Sequence, residues 1–198
     1  SKILKLVPKL SALNQAIAIR LIADKRNSLN FSARFESPHE LANMFINGEN
    51  QLTLKGKVKD GVLNFESRVL LVTNKGDIKY GADNIVVKNA TQVDIYLVAA
   101  TSFESYKDVS GDPAEKCENF IKGLVGQSYD DMKTAHVQDH QKYFKRVEID
   151  LGESKYLDEP LDERLEKYAD RNDPDLLELY FQFGRYLFCG YNGTVFAP

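Results

Sequence analysis

Alternation of apolar and polar residues in the first half of the chain is the feature that most constrains the fold. Such alternation places one side of a strand on a core and the other side toward water. Several short strands with no helix between them predict an antiparallel β-sandwich. The segments that alternate or are rich in β-branched residues are Ala16–Ala23, Leu29–Phe35, Gln51–Val58, Val62–Leu70, Asp83–Val87 and Gln92–Ala100.

Turn-forming pairs of residues separate several of these segments. Asn47-Gly48, Asp60-Gly61 and Gly76-Asp77 combine residue types that tolerate a positive φ. Because Asp60-Gly61 lies between two alternating segments, it predicts a tight hairpin.

The pattern becomes helical near Ser110. Asp112 can cap free backbone N–H groups and Pro113 suits the first helical position, so a helix is predicted to begin there. Ser128, with an acidic residue three positions later, predicts a second helix that ends at about Arg146. Beyond it we expect a short strand, a polar linker and a short helix, at Val147–Leu151, Gly152–Pro160 and Asp162–Ala169.

A last helix is predicted from Asp173-Pro174 to about Phe188, and it is apolar or aromatic on nearly every side. A helix of this kind belongs inside a helical domain or at an interface. Left uncovered, it forms a large apolar patch, so we expect self-association through the helix Leu176 to Phe188. Its apolar residues are Leu176, Leu177, Leu179, Tyr180, Phe181, Phe183, Tyr186, Leu187 and Phe188.

Composition argues against several classes of partner. The net charge of the 198 residues is −3 and the basic residues are scattered, so no nucleic-acid partner is expected. No apolar run is long enough to span a bilayer, so no membrane partner is expected either. Cys117 and Cys189 do not form a disulfide framework and are interpreted as ordinary thiols. No glycine-rich phosphate loop occurs, and no cofactor is predicted.

Histidine spacing gives one weak metal signal. His136 and His140 lie four residues apart on the second predicted helix, a spacing that can bind a metal ion. No glutamate stands beside His136 as in zincins, and the only other histidine is His39. We therefore predict no metal site.

A set of motifs between about residue 15 and residue 188 is shared with one enzyme family. The most specific is the run Leu179–Leu187, preceded by Pro160–Leu165 and Asn172–Leu176. Ala135–His140 and Tyr143–Val147 precede these in turn, and together the motifs resemble the linker and first barrel helix of bacterial glycoside hydrolase family ninety-five, the α-L-fucosidase family. Weaker matches to the middle and the end of the family's N-terminal sandwich occur, in order, at Arg20–Lys25, Phe31–Arg34, Ser37–His39, Val98–Phe103 and Tyr106.

The resemblance implies a fold, a division of the chain into domains and an enzymatic activity. It implies a partial β-sandwich of the super-sandwich type at residues 1–110, a helical linker at 111–170 and the truncated start of an (α/α)6 barrel at 171–198. The intact relatives are inverting α-L-fucosidases of the periplasm or the extracellular space, although the compartment of this chain stays unknown. Their catalytic residues lie farther along the barrel, so no catalytic residue is assigned and the chain alone is expected to be inactive.

Glycosidases need two carboxylates that face each other across a cleft, and the chain has several candidates for such a pair. None is singled out. Asp130, Asp131 and Asp162 are explained as helix-start residues favoured by the helix dipole. The other candidates are Asp139, Asp158, Glu159 and Glu163.

Two alternatives to this reading stay open. One is a non-catalytic module that binds a glycan or a protein. The other is a phosphorylase-related sandwich of the neighbouring family sixty-five, which fits the linker motif less well. The absence of tryptophan argues against a sugar-binding platform in the chain itself. The run Cys189–Thr194 departs from the family's continuation, from which we expect an interrupted reading frame or a truncated gene.

Overall fold

A computed structural model describes residues 3–11, 15–48 and 51–192, with side chains placed between residues 15 and 188. Within these ranges the chain forms nine strands, four α-helices and a 3-10 turn at Tyr168–Asp170. The strands are β1 (Ile3–Ser11), β2 (Ala16–Ala23), β3 (Leu29–Ala33), β4 (Asn43–Asn47), β5 (Gln51–Lys57), β6 (Asn64–Thr73), β7 (Asp77–Tyr80), β8 (Ile85–Ala90) and β9 (Gln92–Thr101). The helices are α1 (Pro113–Leu124), α2 (Tyr129–Phe144), α3 (Leu161–Glu166) and α4 (Pro174–Asn192).

The strands form two antiparallel sheets. The larger sheet has the order β1-β2-β9-β6-β5-β4 and the smaller one β3-β8-β7. Every pairing within them is antiparallel. A cluster of buried side chains from both sheets, including Leu21, Leu71, Ile85 and Val87, forms the core between them. The predicted fold class, a partial antiparallel β-sandwich followed by helices, is confirmed.

The central strands of the larger sheet are covered on both sides, which the sequence analysis did not predict. On β9, Val93 and Ile95 contribute to the core between the sheets, whereas Tyr96 and Val98 belong to a second buried cluster. That cluster is completed by apolar residues of α1 and of the start of α2, among them Ile121. The prediction of one water-facing side is therefore wrong for these strands, because the helices that follow pack on that side.

Most of the predicted turn and cap residues have the expected conformations. Gly76 has a φ of +106° and Asp60 has a φ of +56°. The hairpin predicted at Asp60-Gly61 forms with a longer loop than a tight turn, because β5 ends at Lys57 and β6 begins at Asn64. Asp112 accepts backbone hydrogen bonds at the start of α1. Ser128 Oγ accepts from Asp131 N at 3.1 Å, while Asp131 Oδ2 accepts from Ser128 N at 3.0 Å. This reciprocal capping box confirms the predicted start of α2.

Some elements differ from the predictions. The strands β1, β4 and β7 were not predicted; β1 lies at an edge of its sheet, where Pro8 is tolerated despite its missing backbone donor. The predicted strand Val147–Leu151 does not form. Instead of joining a ladder, Leu151 N donates to the carboxylate of Glu178 on α4.

The chain divides into two compact units, Ser1–His136 and Val137–Pro198. The first contains both sheets, α1 and the beginning of α2, and the second contains the rest of α2 together with α3 and α4. The predicted three-part division into domains stays a prediction.

Candidate functional site

An ion cluster around Arg20 holds the start of α2 on the larger sheet. Arg20 on β2 faces Asp94 on β9 and donates two hydrogen bonds to its carboxylate, at 2.7 and 2.8 Å. The same guanidinium donates to Asp130 at 2.9 and 3.1 Å and lies 4.1 Å above the ring centre of Tyr129. The hydrogen bond to Asp94, with help from Asp130, raises the pKa of Arg20 further above its ordinary value. The first turn of α2 is thereby tied to two strands.

A second cluster, around Arg68, holds α1 on the same sheet. Arg68 on β6 has a side chain that is only 5% exposed, and it donates to Glu66 at 2.7 Å. It also reaches two groups of α1, Glu118 at 2.6 Å and the carbonyl of Ala114 at 3.0 Å. A buried charge is costly unless it is paired and hydrogen-bonded, and here the pairing partners come from both the strand and the helix.

Cys117 lies beside the Arg68 cluster as a free, buried thiol. Its Sγ donates a weak hydrogen bond to the carbonyl oxygen of Glu66 at 3.4 Å. Burial raises the pKa of Cys117 to about 11. The thiolate is the reactive form, so this cysteine is an unreactive core residue. The side chain of Cys189 lies outside the described residues, and its interpretation stays a prediction.

In the second unit, a cluster around Arg164 fixes the start of α4. Arg164 donates to both carboxylate oxygens of Asp173, at 2.8 and 2.9 Å, and to Asp175 at 2.8 Å. Asp173 also accepts from Ser154 Oγ and from the backbone N–H of Leu176. The hydrogen bonds from Arg164 are the main reason why the pKa of Asp173 lies well below its usual range. Asp173 is therefore the capping residue that the sequence predicted.

An open apolar groove of about 710 Å³ runs along α4. Side chains of α4 form most of it, and Ile149 and Leu151 of the preceding segment complete it. None of its lining residues is a carboxylate. The residues that line this α4 groove are Ile149, Leu151, Leu177, Tyr180, Phe181, Phe183, Gly184, Arg185, Leu187 and Phe188.

The predicted carboxylate candidates are dispersed, and most have structural partners. Asp130 pairs with an arginine and Asp131 closes a capping box, as described above. The others pair locally or are exposed: Asp139 contacts Lys142, Glu159 contacts Arg171, Glu163 contacts Lys167, and Asp158 and Asp162 face solvent.

His39 and His140 lie in separate environments. His140 stacks on Phe144 and packs against Tyr186, with ring centres 4.8 and 5.4 Å away. His39 Nδ1 accepts from the backbone N–H of Lys59 at 3.1 Å. Within residues 15–48 and 51–188, no group of three or more His, Cys, Asp or Glu side chains is placed to hold a metal ion. In the same part of the chain, no helix has the length and apolar character needed to cross a membrane.

Arg20, Arg68 and Arg164 were not singled out from the sequence. Arg20 and Arg68 stand within segments that are otherwise apolar or alternating, and a charge in such a strand needs a buried partner. That placement was the available signal. The partner could not be read from it, since Arg20 and Asp94 are 74 positions apart.

Two protein families match successive parts of the chain, one in the sandwich region and one in the helical region. The model described as "Glycosyl hydrolase family 65, N-terminal domain" matches residues 10–106, and the one described as "Glycosyl hydrolase family 95 catalytic domain" matches residues 128–191. Alpha-L-fucosidase 2 of Arabidopsis thaliana is 28% identical over an alignment 206 residues long, gaps included. The alignment covers 88% of this chain and 24% of the relative. Probable alpha-fucosidase A of Aspergillus niger is 26% identical over 153 residues, covering 70% of this chain and 19% of the relative.

The chain thus spans about a quarter or less of the length of these relatives. They come from a plant and a fungus, so the predicted bacterial source stays a prediction, as does a glycan partner. The family 65 alternative is supported for the sandwich region alone. Residues 128–191, which contain the motifs quoted for the linker helix and for α4, match the family 95 catalytic domain. The chain is similar to glycoside hydrolases of family 95: its sandwich region matches a glycoside hydrolase N-terminal domain, and residues 128–191 match the catalytic domain of that family.

Proposed function

We propose that the chain is the part of an α-L-fucosidase-like glycoside hydrolase that joins the catalytic domain to its supporting β-sandwich. The observation that carries this proposal is the position of the Arg20 cluster. The match to the catalytic domain begins at residue 128, and the next two residues, Tyr129 and Asp130, are the ones that Arg20 holds against the sheet. The first residues of the segment that matches the catalytic domain are therefore held on the larger sheet.

The chemistry proposed for the whole enzyme is inverting hydrolysis of a terminal α-L-fucoside. One carboxylic acid protonates the leaving oxygen, and a carboxylate on the opposite side activates the attacking water. The described residues provide no such pair, because the candidates are capping residues, ion-pair partners or dispersed surface groups. We therefore expect the acid and the base to come from other parts of the enzyme, and the 198-residue chain by itself to release no fucose.

A direct assay tests the expected inactivity. Purified chain is incubated with a fucosylated oligosaccharide and free L-fucose is measured, with the plant relative as the positive control and buffer as the blank. Release at the level of the blank supports the proposal. Release that exceeds the blank and scales with the amount of chain would refute the assignment of the acid and base to residues outside it.

Hydrogen exchange tests the anchoring role of Arg20. Arg20→Ala removes the contacts to Asp94, Asp130 and the ring of Tyr129, and we expect the amides at the start of α2 to exchange roughly ten-fold faster, equivalent to about 1.4 kcal/mol. Arg34→Ala is the matched control, since within the described residues Arg34 forms an ion pair with the exposed side chain of Glu36 and no other. Equal protection of α2 in both variants would contradict the anchoring role.

A further inference from the structure

We draw no further inference here: the strongest candidate, the patch of exposed apolar side chains (Leu41, Val62, Phe103 and Tyr106) on the loops that join β3 to β4, β5 to β6 and β9 to α1 at one end of the larger sheet, carries none because nothing in the structure shows what covers it.

Discussion

Removal of the Arg68 side chain is the sharpest test of how α1 is held on the sheet. Arg68→Met keeps much of the apolar stem but leaves the carboxylate of Glu66, which is only 3% exposed, without its cationic partner. It also removes the hydrogen bonds to Glu118 and to the carbonyl of Ala114. Breaking a buried pair from one side costs about 3–5 kcal/mol, mainly because of the stranded charge.

The matching change in thermal stability is large. At about 2–4 °C per kcal/mol for a chain of this size, the melting temperature should fall by roughly 6–20 °C. Urea unfolding followed by far-UV circular dichroism gives the free energy directly, and it suits a chain that contains no tryptophan. A loss below about 1 kcal/mol would refute the reasoning, since that is the range of an exposed ion pair.

Two further variants separate the stranded charge from lost packing. In Glu66→Gln/Arg68→Met the uncompensated charge is gone, so we expect a smaller loss of stability than in Arg68→Met alone. Glu118→Gln changes the partner that is 42% exposed and should cost at most about 1 kcal/mol. A double variant less stable than Arg68→Met would show that charge burial is not the dominant cost.

The remaining predictions concern three other positions. Asp173→Asn should flatten the acid side of the stability profile. Folding lowers the pKa of Asp173, so its stabilisation is fully present above the unfolded-state pKa of about 3.9 and is lost progressively as the pH falls from there toward the much lower folded-state pKa, which thermal melts from pH 7 to about pH 2 would detect. Cys117, in a Cys189→Ser background, should resist an aromatic disulfide reagent at pH 8 until urea unfolds the chain, because burial raises its pKa to about 11 and excludes the reagent. Gly76→Ala should destabilise by more than about 1 kcal/mol in urea unfolding, because φ is +106° and the new Cβ meets backbone atoms of Ala90.

Each of these has an outcome that contradicts it. If Asp173→Asn left the dependence of stability on acid pH unchanged, the contact with Arg164 would not lower the pKa of Asp173 on folding. Labelling of Cys117 at the same rate with and without urea would show that its side chain is reachable in the folded state. If Gly76→Ala were as stable as the wild-type chain, the backbone of Ala90 could not lie as close to Gly76 as the structure places it.

Local chemistry made much of this fold predictable. Period-two alternation located β3, β5 and β6, and apolar segments rich in β-branched residues located β2 and β9. Capping residues such as Asp112, Ser128 and Asp173 located helix starts. These signals act over only a few residues. The edge strands β1 and β4 were missed, since they are less strictly alternating or short. The strand predicted at Val147–Leu151 failed because a β-branched run forms a strand only where a neighbouring strand accepts it.

The sequence by itself determined the strands' alternation, the helix caps, the apolar character of α4 and the resemblance to family ninety-five. Only the tertiary structure decided that the central strands of the larger sheet are covered on both sides and that Arg20 contacts Asp94 and Asp130. It also decided that no other group lies within 4 Å of a Cβ built on Gly184. The physical reason is range. Alternation and capping depend on neighbours in the chain, whereas ion pairing and burial depend on contacts between residues up to 110 positions apart, which exist only after the sheets and helices have packed.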